Sequence, residues 1–66
     1  MKSYVYVGCD MGKMRRSVKS VKIVQHASDK EALSGVLYYL EFAPKEVNSV
    51  MIWDEEEDSL VAEVVV

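Results

Sequence analysis

The chain has 66 residues, half of them apolar, and a formal net charge of −3. That length bounds it to one domain, residues 1–66, near the lower limit for a self-sufficient core, while the apolar content excludes a disordered chain. One cysteine excludes an internal disulfide framework, no apolar run is long enough to span a membrane, and the N-terminus lacks a signal-peptide hydrophobic region, so a cytoplasmic location is expected.

Charge is divided along the chain. Residues 1–30 carry seven basic side chains against two acidic ones, and residues 31–66 carry one lysine against nine carboxylates. A chain this small and this apolar is also expected to turn some apolar surface toward a partner.

The first strand is predicted at 3–9. Tyr4-Val5-Tyr6-Val7 are strong strand formers, with Val5, Val7 and Cys9 on one face and Tyr4 and Tyr6 on the other. A basic loop follows at 10–16, with Gly12 among Lys13, Arg15 and Arg16, and reads as a hairpin tip. The second strand, 17–25, places Val21 and Ile23 on one face, whereas Val18 has the wrong parity. A bulge near Ser20 reconciles them, and the alternating lysines mark an edge strand.

The helix is predicted at 28–43. Ser28-Asp29-Lys30-Glu31 has capping-box spacing, and Pro44 closes the segment. Leu33, Val36, Leu40 and Ala43 are expected to face the sheet, flanked by Ala32 and Leu37. The non-polar arc continues through Tyr39, Gly35, Phe42 and Tyr38, more than one sheet contact needs. The third strand, 46–53, puts Val50 and Ile52 on one face and Met51 and Trp53 on the other. Asp54-Glu55-Glu56-Glu57-Asp58 is an acidic turn, and the valine-rich fourth strand occupies 60–66.

Two hairpins joined by one helix give an α+β, ββαββ fold: a four-stranded sheet with the helix packed on one face. Strand four is apolar on nearly both faces, which predicts a central position and the order 2-1-4-3, with a fully antiparallel 2-1-3-4 sheet as the alternative. In element order and length, 2-1-4-3 resembles the β-grasp fold of ubiquitin-like and immunoglobulin-binding domains. The terminal Val64-Val65-Val66 lacks the diglycine tail of ubiquitin-like modifiers, so conjugation chemistry is not implied.

No catalytic residues, cofactor, metal or small-molecule substrate are expected. Cys9 and His26 lack an orienting third group and fall short of a zinc ligand set, and the acidic turn lacks calcium-loop spacing. The expected function is a non-enzymatic protein–protein interaction module, homodimeric through an apolar surface. The candidate surfaces are an open sheet face bearing Tyr4, Tyr6, Met51 and Trp53, and a helix flank bearing Gly35, Tyr38, Tyr39 and Phe42. One competing expectation is an acidic inhibitor or nucleic-acid mimic, of the kind that mobile elements carry, acting through Asp54, Glu55, Glu56, Glu57 and Asp58. Another is a weak single-stranded nucleic-acid binder using Tyr4, Tyr6, Trp53 and the basic loop Lys13, Arg15 and Arg16.

Overall fold

The computed structural model describes residues 1–12 and 14–66. Its elements are β1 (Lys2–Met11), β2 (Arg16–His26), α1 (Asp29–Ser34), α2 (Val36–Phe42), β3 (Ser49–Asp54) and β4 (Ser59–Val65). The strands form one sheet in the order β2-β1-β3-β4, antiparallel throughout.

This is the alternative order, and it replaces the β-grasp arrangement 2-1-4-3. β2 and β3 are both antiparallel to β1 and hence parallel to each other, so the helix is the crossover between the two strands that flank β1. The central strands are β1 and β3, the latter with Ser49, Val50, Ile52 and Asp54 all buried, whereas β4 lies at the edge with Leu60 and Val65 exposed. The valines of β4 serve two surfaces: Val64 and Ala62 pack on the core, while Val65 faces away from it.

β2 is an edge strand, as its lysines suggest. Its register against β1 jumps from Gly8↔Ser20 to Cys9↔Val18, leaving Lys19 as the extra residue of a bulge. That bulge brings Val18 onto the side that carries Val21 and Ile23.

The helix starts as the capping box requires. Ser28 Oγ accepts from the Glu31 amide, and Glu31 Oε2 accepts from the Ala27 amide. The helical hydrogen bonds run through Gly35, whose amide donates to the Glu31 carbonyl and whose carbonyl accepts from Tyr39. Gly35 stands at the junction of α1 and α2 with φ −68° and ψ −13°, and a Cβ there would lie 2.5 Å from Tyr6 Oη and 2.9 Å from His26 Nε2.

The buried helical face is rotated from the one periodicity predicts. Ala32, Val36 and Tyr39 are buried and Leu40 and Ala43 pack beside them, but Leu33 and Leu37 are exposed. Tyr39 turns inward because Gly8 of β1 has no side chain, and the phenol fills the vacated space. Beneath the helix lie Tyr4 and Tyr6 of β1 and Val50 and Ile52 of β3, with Val47 from the loop before β3. Removal of Ile52 from water contributes about 1.5–3 kcal/mol.

Two substitutions test this packing. Gly35→Ala would favour an isolated helix by about 1 kcal/mol, yet here it should destabilise the protein by about 1–3 kcal/mol, because the new methyl meets Tyr6 and His26. A raised urea midpoint would overturn that account. The Tyr39 hydroxyl is buried without a hydrogen-bond partner among the described residues. Tyr39→Phe should therefore leave the urea midpoint unchanged or raise it, by up to about 1 kcal/mol, since no bond is lost and a desolvated hydroxyl is removed.

Candidate functional site

The two sides of the sheet are chemically different. On the helix side, each tyrosine of β1 ends in a polar contact with the helix. Tyr4 Oη donates to Asp29 Oδ1 at 2.6 Å, and Tyr6 Oη donates to the Ala32 carbonyl at 2.5 Å. The bond to Asp29, with burial, pushes the Tyr4 phenol up to about 12. Burial also raises the Tyr6 phenol. Because Tyr6 spends its one proton on a carbonyl, the 3.1 Å contact with His26 Nε2 is an N–H donated by the imidazole.

These contacts correct the expected open face. Tyr4 and Tyr6 are buried beneath the helix and present no stacking surface, so the nucleic-acid reading loses two of its three aromatics. The open face instead carries the other parity. Val5 is registered with Trp53 and Ile23, and Val7 with Met51 and Val21. Val18, Val21 and Ile23 are exposed, each more than half accessible, and Val5, Val7, Met51 and Trp53 are half-buried. Met51 and Trp53 thus stand where the sequence placed them, whereas Val5, Val7, Val21 and Ile23 take the place of the tyrosines. The alternation at 4–7 held this signal, but both parities are apolar enough to face a core.

One ion pair interrupts the open face at its β4 side. Arg16 reaches across to donate to Glu63 Oε2 at 2.6 Å and to contact Met51 Sδ, while Ser49 Oγ donates to the same carboxylate oxygen at 2.8 Å. Cys9, registered with Ser49 and Val18, is fully buried at this end. It is a small core residue with no histidine beside it, since His26 lies at the far end of β2.

The helix flank divides. Tyr38 and Phe42 are exposed and pack against each other, with ring centroids 5.2 Å apart and the planes tilted by 57°. Tyr39 belongs to the core, with its ring 5.2 Å from that of Tyr6. The close approach at Gly35 is made from within, by Tyr6 and His26, not by a second backbone. Between this flank and β2 runs a cleft of about 550 Å³ with Tyr6, Lys22, His26, Tyr38 and Phe42 among its walls.

The hairpin tips lie at opposite ends of the sheet. The β1–β2 connection follows Met11, whereas the Glu55 amide donates to the Ser3 carbonyl at the start of β1. Glu55, Glu56, Glu57 and Asp58 are exposed, with Asp58 in the left-handed region at φ 51°. Asp54 is not part of the exposed tip. It is buried, accepts the Glu56 and Glu57 amides, and pairs with Lys2 at 2.5 Å. At the basic end Arg15 is exposed, Arg16 is committed to Glu63, and Lys13 lies outside the described residues. No cluster of metal-ligating side chains occurs among the described residues.

The Lys2 ammonium holds the Asp54 carboxyl below its usual 3.8, and Asp54 in turn raises Lys2. Folded Asp54 binds its proton less readily than the unfolded chain does. Its stabilising contribution is therefore complete above 3.8 and is lost as pH falls through the lower folded value. Asp54→Asn should lower stability at neutral pH and flatten the loss of stability below about pH 4 in urea unfolding. An acid limb parallel to that of the unsubstituted protein would contradict this assignment.

Against family descriptions, curated proteins and solved structures the chain finds no match.

Proposed function

We propose that the chain is a non-enzymatic protein–protein interaction module that acts as a homodimer through its open sheet face. The observation that carries the reading is that face itself: Val5, Val7, Val18, Val21, Ile23, Met51 and Trp53 on adjoining strands, with no charge among them. Two strands of about 30 Å and two of about 20 Å, each about 4.8 Å wide, give roughly 500 Å² in projection. Pairing two such faces covers about 1,000 Å² in projection, close to the ~1,200 Å² of accessible surface where stable interfaces begin.

Charge selects the arrangement. A two-fold axis along the strands would bring like tips to the same end of a sandwich. An axis in the interface plane but across the strands brings the Arg15 end of one copy beside the Glu55–Asp58 end of the other. The second arrangement is favoured, and the sheets then pack about 10 Å apart. The buried, unpaired Cys9 supports a reducing compartment, and this reading takes the cytoplasm as its setting.

Sedimentation velocity at high micromolar concentration should give a dimer whose affinity changes little between about 50 and 200 mM salt, since apolar burial dominates. Val21→Lys and Ile23→Lys alter exposed side chains and should keep the monomer fold by circular dichroism while abolishing association. A monomeric unsubstituted protein, or a dimer indifferent to both substitutions, would sink the proposal.

A further inference from the structure

The outer edge of β2 and the cleft beside it form a second surface, which adjoins the open sheet face at Val21. β2 runs from Arg16 to His26 at the edge of the sheet and pairs on one side only, with β1. The cleft wall includes Val21 and Gln25 as well as Lys22 and Val24, residues whose side chains point to opposite sides of the sheet. Both parities reach it, so the cleft opens along the strand onto its backbone and not onto one set of side chains. Across the cleft stands the exposed, tilted Tyr38–Phe42 ring pair, a large apolar wall that no residue of this chain covers among those described.

We propose that this edge and cleft bind an extended, acidic and apolar peptide segment of another protein, which adds as a strand alongside β2. Main-chain hydrogen bonds to an edge strand supply affinity, and alternate side chains supply selectivity. Residues of the added strand opposite Lys22 and Val24 fall on the helix side, where a long apolar side chain reaches the Tyr38–Phe42 wall and a carboxylate reaches Lys22. The charge of the segment follows from β2. No acidic residue occurs between Arg16 and His26, and neither Lys19 nor Lys22 is ion-paired among the described residues. Lysines on an edge discourage pairing with apolar or basic strands, and an acidic strand is the class that escapes this restraint. The same lysines disfavour pairing of β2 with β2 of a second copy, because like charges would meet across the two-fold axis.

The test uses the full chain and a short capped peptide with valine at every second position and glutamate and phenylalanine by turns between them, so that the carboxylates and the rings fall on one face of the added strand. Titration followed by amide chemical shifts should move residues 20–26 together with Tyr38 and Phe42. Three changes should each weaken binding at least about tenfold: lysine in place of the peptide glutamates, N-methylation of alternate peptide amides, and Lys22→Glu in the protein. Two of these leave the protein untouched, so a folding defect cannot mimic the result. Equal binding of the lysine peptide, indifference to N-methylation, shifts confined to Val7 and Met51 on the open face, or no binding at millimolar peptide would each overturn the proposal.

Discussion

Contact between the Tyr6 hydroxyl and Gly35 governs how the helix lies on the sheet. The phenol oxygen occupies the place of a side chain at position 35 and is anchored there by the Ala32 carbonyl and the His26 imidazole. A helix held this close at its midpoint must turn Ala32, Val36 and Tyr39 inward. Gly8 makes the reciprocal concession on the sheet, accommodating the Tyr39 ring. Two glycines, one in the helix and one in β1, thus let two tyrosines interlock across the core. Aromatic packing of this kind supplies burial that a chain of this size cannot obtain from many aliphatic residues.

The same interlock leaves Val5 and Val7 of β1 and Val18, Val21 and Ile23 of β2 on the far side of the sheet. A sheet with one helix can cover only one face, and here the covered face took the residues with polar tips, whose hydroxyls find partners on the helix. The uncovered face kept Val5, Val7, Val21 and Ile23, which need no hydrogen bonds but gain from leaving water. Charges were placed where they do not disturb this. Asp54 is neutralised by Lys2 and by backbone amides at one end, and Arg16 is paired with Glu63 at the β4 side. Among the described residues, the exposed charges outside these pairs include the acidic run after Asp54 at one tip, Arg15 near the other, and Lys19 and Lys22 of β2 along an edge.

Some of this was legible in the residues and some was not, for identifiable reasons. Ser28 and Glu31 announced the helix start because capping is local and involves residues three apart. The wrong parity of Val18 announced the bulge at Lys19 because register in a strand is counted residue by residue. The inversion of the first strand had the opposite cause. Parity states that Tyr4 and Tyr6 share a face, but not which face is covered, and tyrosine and valine are both good strand formers on either side. The choice between the orders 2-1-4-3 and 2-1-3-4 has a similar cause: the observed order is the second, since a valine-rich strand is apolar on both faces at the centre of a sheet or at the edge of one whose open face is also apolar. Gly35 lies on the helix flank that the non-polar arc marks out, but its close neighbours are the side chains of residues 6 and 26, beyond the reach of helical periodicity.

Sequence by itself determined the element order, the helix cap, the bulge, the edge character of β2 and the placing of opposite charges at opposite hairpin tips. Each is a short-range property, settled by spacing, by backbone preference or by which residues share one turn. Tertiary structure alone decided which face of the sheet is covered, which strand lies beside β1, and which charges are spent on ion pairs within the fold. Those outcomes depend on the fit of Tyr6 against Gly35 and of Tyr39 against Gly8, where residues far apart in the chain compete for the same few ångströms of space.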